Sequence, residues 1–452
     1  MTHDSVTIGC GSSCGSCRIE ESERLLHSGK TKYMSFDRLA ERTTAEMLWG
    51  AARGNRAFCP EMELYASRLF HEAARRGTRL VTNAGGEDVE GALAASVEVL
   101  TAQGKRGTRV AGVIPQDDVL ELVRTVNPVI EETGRPYSEL ADQILGASAY
   151  YSARGIQTAL EDDADVVITG RVGDSALYMA PLAHHFGWSW DDWDRMAKGL
   201  VVGHLLECGP QLSGGYYAAP PIKLVPNLAR VGLPYAEVSA DGTAVFTKLE
   251  ESGGKVTGPI VKEQLLYEVG NPHAYLHTDV TVDISKATVT EVGQDRVRVD
   301  GVGGRPYPDT VKVLMAAHNG YVGECSATFA GSDSYERAQL AAEVLRERID
   351  ILGLDVLDYQ ANFLGVSSVF TPWEKDPVVP REVTVQLMGR FGSQADAKRF
   401  VDDAFIGAGS HYGPAGGTVG RTMAPIEPMP ALYSAYIDRS LFKDPAVQIV
   451  EV

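Results

Sequence analysis

The chain has 452 residues, 44% of them apolar and 23% charged, and a formal net charge of −18 from 42 basic and 60 acidic side chains. Such a length exceeds one ordinary core, so two or three domains of ~100–200 residues are expected, and the composition is that of a globular protein. The acid excess argues against binding nucleic acid or an anionic membrane by bulk charge; with no apolar run of about 18 residues and no basic-then-apolar leader in MTHDSVTIGCGS, a cytoplasmic location is expected.

Through about residue 235, short apolar runs alternate with helical patterns. Strands are expected at Ser5–Gly9, Tyr33–Phe36, Thr78–Thr82, Thr108–Ile114 and Asp165–Thr169. Helices are expected at Ala40–Arg53, Glu61–Arg76, Glu87–Gln103 and Tyr137–Glu161. This alternation predicts an α/β domain over 1–235, a doubly wound, mostly parallel, Rossmann-like sheet. Its ligand edge is where the strands end in turns. After Tyr235 the extended runs Thr243–Thr247, Thr278–Ile284, Ala287–Val292, Arg296–Val302 and Val311–Ala316 have no helices between them. Next come a helix at Ser334–Leu352, strands at Tyr359–Val369 and Glu382–Met388, a helix at Gln394–Ala404 and a Gly/Pro-rich tail. The expected second domain, 236–452, is therefore α+β with an antiparallel sheet. The Gly/Pro-rich stretch Cys208–Pro226 reads as a functional loop near the boundary.

Three of the six cysteines, Cys10, Cys14 and Cys17, lie on one Gly-rich turn after the first strand. Thiolates suit zinc or iron–sulfur clusters, and clustering in a reducing compartment points to a metal or to catalysis more than to disulfides. The C-x3-C-x2-C spacing is that of radical S-adenosylmethionine enzymes, but Ser16 stands where that class has an aromatic residue, which argues against it. A redox or nucleophilic thiol and a plain tight turn are the other readings. Cys59 is a candidate fourth ligand, although alone it reads as a buried, inert thiol.

The turn Thr169-Gly170-Arg171-Val172-Gly173-Asp174-Ser175 joins a strand to a helix. Its glycines allow close ligand approach and Arg171 offers a fork for a carboxylate or phosphate; Asp174 or Ser175 equally fits an N-cap. Glu207 shares a helix face with His204, three residues away, and adjoins Cys208. Such a group can move protons or hold a metal. Asp117-Asp118 follows a strand, so one reads as a cap and the other as a candidate base. The turn Asn83-Ala84-Gly85-Gly86 can offer backbone donors to an anion. Glu41-Arg42-Thr43 reads as a solvated helix start, and His184-His185 as packing. No P-loop, H-E-x-x-H or G-x-S-x-G motif is present.

Together, Gly9-Cys10-Gly11, Glu41-Arg42-Thr43, Val81–Gly85, Thr169–Asp174, Glu207-Cys208-Gly209, Ser213–Tyr216, Tyr267–Pro272 and Asp279-Val280 resemble the acyclic terpene utilisation (AtuA) family. The resemblance spans roughly residues 5–425 and is most specific over Thr169–Tyr216. It implies a link to the breakdown of branched acyl-CoA or other carboxylic acids. The first loop departs from the pattern: members have a Gly/Phe/Ser-rich turn closing with Asp-Arg, and this chain has three cysteines and Arg18. The expected function is a lyase of the hydratase/dehydratase type on a small carboxylate or acyl-thioester. An iron–sulfur cluster or zinc on Cys10, Cys14 and Cys17 would act as Lewis acid. Glu207, Asp117, Cys208 and Arg171 are the expected catalytic residues. Asn83, Gly85, Gly86, Thr169, Gly170, Asp174, Gly215 and Tyr216 are expected to bind substrate. A cysteine-based sulfur-transfer enzyme and a non-catalytic acyl-CoA- or metal-binding subunit are the rival readings. Aromatic residues around Trp188–Trp193 suggest a homo-oligomer.

Overall fold

The structure is a computed structural model that describes residues 5–13, 18–368, 381–415 and 420–452. It falls into two compact units, Met1–Ala316 with Leu432–Val452, and Ala317–Ala431. In chain order the first unit carries β1 (Ser5–Ser12), α1 (Ile19–His27), β2 (Tyr33–Phe36), α2 (Glu41–Ala51), α3 (Met62–Tyr65), α4 (His71–Arg76), β3 (Arg79–Gly86), α5 (Val89–Ala102), β4 (Arg109–Ile114), α6 (Val119–Val126), β5 (Ile144–Ala149), α7 (Arg154–Glu161), β6 (Val166–Gly170), α8 (Ala176–Phe186) and α9 (Trp193–Leu206). It continues with β7 (Pro234–Ser239), β8 (Ala244–Lys248), α10 (Gly258–Leu266), β9 (Tyr275–Leu276), β10 (Thr281–Asp283), β11 (Thr288–Gly293), β12 (Arg296–Asp300) and β13 (Gly303–Arg305). β14 (Thr310–Ala330) leads into the second unit, which holds α11 (Ser334–Leu352), β15 (Val356–Leu364), β16 (Glu382–Phe391), α12 (Gln394–Gly407) and β17 (Gly420–Met423). β18 (Glu427–Asp438) leads back to the first unit, and β19 (Ala446–Glu451) ends it.

Among the described residues ten strands form one sheet, ordered β11-β12-β8-β7-β1-β2-β3-β6-β4-β19. Its centre, β1-β2-β3-β6-β4, is parallel. Parallel strands need cover on both faces and so read as continuous apolar runs; every residue of β2 and of β6 is buried. Helix α8 packs on β1, β2 and β3, and α5 on β3, β4 and β6. Helices α5 and α6 begin at side-chain caps: Asp88 accepts from Gly91 N at 2.8 Å and Asp118 from Glu121 N at 3.0 Å. The mixed α/β class and the largely parallel sheet agree with the sequence reading.

The strands after Tyr235 do not found a new domain. β7 pairs antiparallel with β1, from Ser5↔Ser239 to Gly9↔Tyr235, and β8, β12 and β11 extend the same edge. The expected boundary at 235 thus falls inside a continuous sheet. An unpaired β1 edge is the physical reason, since a bare edge recruits strands. The α+β unit is Ala317–Ala431, in which β15, β16, the far part of β14 and β17 pair antiparallel. Helices α11 and α12 cover β16, and Phe329, Phe391, Phe400, Leu345 and Leu387 form their shared core. Cys14, Cys17 and the Val369 end of the expected Tyr359–Val369 strand lie outside the described residues.

The helix expected over Tyr137–Glu161 is instead a short 3-10 turn at Tyr137–Glu139, then β5, then α7. Pairing outweighs propensity here: β5 pairs with β14, and Gly146 lies so close to α2 that a Cβ would meet Leu48 at 3.1 Å. The helix expected over Glu61–Arg76 is realised as α3 and α4 around a π-helical turn, Ala66–Phe70. The Trp188–Trp193 aromatics are used within the chain. Trp188 stacks on Phe186 at 5.3 Å and Trp193 meets Tyr307 edge-on at 5.5 Å.

Helices α8 and α9 cross at Gly203, where a Cβ would lie 2.1 Å from the Ser175 carbonyl oxygen. The carbonyl is backbone and a Cβ position is fixed by its own backbone, so neither can rotate away. Gly203→Ala is therefore expected to destabilise the first unit by about 2 kcal/mol or more, read as a lowered melting temperature; an unchanged melt would refute this crossing.

Candidate active site

The parallel strands deliver their last residues to one edge, where α/β sheets bind ligands. Asp37 follows β2, Arg171 follows β6, and Glu207 caps the end of α9. Arg171 is 3% exposed. Its guanidinium donates to the Leu39 carbonyl and, at 2.7 Å, to the Tyr150 hydroxyl; it pairs with Asp174 at 3.2 Å and lies 4.2 Å from the centre of the Tyr150 ring. A buried cation needs such partners; its Nε alone has none among the described residues.

Two adjoining clefts of about 340 and 460 Å³ share Glu41, Asp174, Glu207 and Glu268 as walls. Asp37 opens onto the first of them. Its carboxylate accepts from Asn83 Nδ2 at 2.6 Å and Leu39 N at 3.3 Å. Burial and then the Glu207 charge raise it from 3.8 to about 6, against the pull of Asn83 and Arg171. Burial would also raise Glu41, but the Tyr150 hydroxyl at 2.6 Å and the Arg171 charge outweigh it and hold this carboxyl near 2. Asp174 is pushed well above the carboxylate range by burial, despite Arg171.

Glu207 is also pushed well up, by burial first and then by Asp174 and Glu268. Ser175 Oγ donates to it at 3.4 Å. Burial lowers His204 and keeps it neutral, and its Nε2 sits 3.3 Å from the Leu265 carbonyl, which assigns the proton there. Nδ1 then presents a lone pair 3.3 Å from Glu207 Oε1, matching a protonated Glu207.

His277 lines the second cleft. Asp279 N donates to its Nδ1 at 3.4 Å, so the neutral ring carries its proton on Nε2, which is closed from solvent and has no partner. A Cβ on Gly173 would lie 1.8 Å from that nitrogen. The second glycine of the turn thus makes room for His277. Burial and the Arg171 and Arg439 charges hold His277 down to about 3, so it stays neutral. Tyr216 and Glu268, both on the first cleft, take left-handed φ of 59° and 61°. Neither is glycine, so the backbone there is strained.

The structure gathers Glu207, Cys208, Asp174, Gly215 and Tyr216 on the first cleft and Arg171 on the second. Burial and the Glu207 charge push the Cys208 thiol up, which disfavours a thiolate there. Asn83 positions Asp37 and accepts from Arg38 N at 2.7 Å; it offers no anion cradle. Gly85 and Gly170 let β3 and β6 approach: a Cβ would lie 2.7 Å from the Thr169 carbonyl oxygen or 2.6 Å from that of Gly86. Thr169 is 2% exposed within β6. Gly86, Asp117 and Asp118 belong to a third cleft with Glu87. Asp117 accepts from the Tyr151 hydroxyl at 3.1 Å and Lys443 N at 3.0 Å, so it anchors the returning chain end. Asp118 is the α6 cap.

Of the cysteine loop, Cys10 alone is described. It lies fully buried within β1, and its Sγ donates to the Ser12 carbonyl at 3.1 Å. A ligand role for Cys10 would require that thiol to turn out of the core. Among the described residues no three His, Cys, Asp or Glu side chains are set to hold a metal, and no helix is long and apolar enough to cross a membrane. Cys59 donates to Glu61 at 2.7 Å. Asp37, Tyr150, Glu268, Tyr275 and His277 were not singled out as site residues by the sequence reading. The position of Asp37 directly after a strand, and of Glu268 within the family-like stretch Tyr267–Pro272, could have marked two of them.

A family model described as "Acyclic terpene utilisation family protein AtuA" matches residues 6–447. No curated protein and no solved structure matches the chain.

Because Asp37 binds its proton more tightly folded (about 6) than unfolded (3.8), its ionised form is destabilising. The sign follows: stability falls as pH rises through that window, by on the order of 3 kcal/mol in all. Asp37→Asn keeps the acceptor oxygen for Asn83 and Leu39 and removes the charge. Urea unfolding at about pH 5 and about pH 8 should show the variant gaining on wild type at the higher pH. Equal pH dependence in both proteins would refute the shift.

Proposed function

The chain belongs to the acyclic terpene utilisation family, and we propose that its acidic cleft catalyses proton transfer in the addition or loss of water on a small carboxylate or acyl-thioester. One observation carries this reading. Three carboxyls, buried Asp37 and Glu207 and part-exposed Asp174, face the same cleft, and their proton affinities are raised unequally. Carboxyls pushed apart in this way divide into acid and base.

Asp37, near 6, is ionised around neutral pH and serves as the base. It would take the proton from the carbon beside the carbonyl. Glu207 keeps its proton, and its placement against the neutral His204 supports the role of acid toward the departing hydroxyl. The electron pair of the C–H bond becomes the new C=C bond as the C–O bond breaks and water leaves; hydration is the same path reversed. His277 stays neutral beside the second cleft, but its Nε2, closed from solvent and packed over Gly173, is not open to a substrate oxygen. Lys312, on the second cleft, supplies a cation for the substrate's anionic end. Arg171 is a positioning residue, since its terminal nitrogens are engaged within the protein.

The test is a panel of small 3-hydroxy- and 2,3-unsaturated acids and their thioesters in deuterated water, followed by NMR. Deuterium should enter beside the carbonyl, and Glu207→Gln should slow turnover by about 10²–10⁴-fold. Activity should rise with pH through about 6, and Asp37→Asn should abolish that limb. Neither exchange nor hydration in any member of the panel would sink the proposal.

A further inference from the structure

On the first unit, away from the acidic cleft, a cleft of about 260 Å³ is lined by Arg154, Trp190, Asp279, Tyr307, Arg439 and Lys443. Its arginines are propped on aromatic rings. Arg154 lies 5.0 Å from the Trp190 ring centre, and Arg439 lies 4.3 Å from that of Tyr307. Trp190 is itself fixed by its N–H to Gln157 at 2.6 Å, and Arg439 by the carbonyls of Pro308 (3.1 Å) and Thr278. Stacking of this kind pre-organises the guanidinium plane; the Arg154 side chain makes no hydrogen bond among the described residues, whereas Arg439 has its Nε and Nη2 engaged by the carbonyls and only Nη1 open.

Among the described residues, neither guanidinium forms an ion pair. That is unusual in a chain with 60 acidic side chains against 42 basic ones. The nearby Asp279 carboxylate is turned to the start of α7, accepting from Ala153 N at 3.1 Å. Lys443 adds a third cation, loosely placed 4.0 Å from Asp117. Asp444 is the remaining acid on the wall. Burial, and the Arg154 charge against the pull of Asp279, press on the proton of Arg439. Asp279 offsets the two positive charges only in part, since the proton affinity of Arg439 is still lowered, and one anion that reaches both guanidinium groups would relieve the remaining repulsion. A monocarboxylate fills a single fork, whereas a phosphate or diphosphate group offers oxygens to two.

We propose that the cleft between Arg154 and Arg439 binds a phosphate-bearing ligand. The proposal is independent of the chemistry assigned to the acidic cleft.

Calorimetric titration of the full chain with pyrophosphate, and separately with ADP, tests it. Arg154 makes no side-chain hydrogen bond, so Arg154→Ala leaves the fold intact; Arg439→Gln is the second variant. Binding to wild type should weaken with salt and fall about tenfold or more in each variant. Arg124→Ala, at an exposed arginine paired with Glu121, should bind as wild type. Tighter binding of ADP than of pyrophosphate supports the site and marks a nucleotide; equal binding supports it and marks a free polyphosphate. No heat from either at millimolar concentration, or wild-type affinity in Arg154→Ala, would overturn it.

Discussion

The candidate site depends on one buried cation. Arg171, 3% exposed, costs free energy to hold away from water and is tolerated because carbonyl, hydroxyl, carboxylate and ring all reach it. Its partners come from separate strand ends: Leu39 after β2, Tyr150 after β5, and Asp174 just before α8. One side chain therefore ties together the loops that form the cleft. Through Tyr150 it also orders Glu41, which accepts the hydroxyl proton of the same tyrosine.

Around that cation the acids outnumber the bases, and the surplus determines the chemistry. Glu41 stays ionised because Tyr150 and Arg171 favour its charge. Asp37 has only Asn83, a backbone N–H and a more remote Arg171 to offset burial, and it rises to about 6. Glu207 has one hydroxyl and Arg171 against burial and two acidic neighbours, and it is pushed well up. The ordering follows from local partners rather than from residue type. A cleft of this kind disfavours a substrate that presents negative charge at the reacting atoms and favours one whose charge develops during reaction.

Much of this was legible before the fold was known. The strands Tyr33–Phe36 and Val166–Gly170, the Asp118 cap, the turn at Arg171 and the end of the helix at Glu207 all have local signals. What stayed hidden came from distant segments. His277 carries no motif and Glu268 lies in a family-like stretch that names no role for it, and only the tertiary fold brings them to the cleft. Gly173 shows how a local reading misleads: a turn glycine suggested ligand approach, yet the space above it belongs to an imidazole more than 100 residues later in the chain. The domain boundary was misplaced because composition changes at Tyr235, whereas hydrogen bonding across β1 and β7 does not break there.

Arg171 also borders the third cleft, where burial raises Glu87 to about 7 against the Ser148 hydrogen bond and the Arg171 charge. The guanidinium thus stands between two groups of carboxyls at one sheet edge, with Asp37, Asp174 and Glu207 on one side and Glu87 on the other. A proton gained by Glu87 removes a negative charge that shares this cation. Because the interaction passes through a low-dielectric interior, it is screened far less than a surface pair. Its charge opposes the rise of the carboxyls on both sides, so the two clefts share one buried cation whose position is set by the fold.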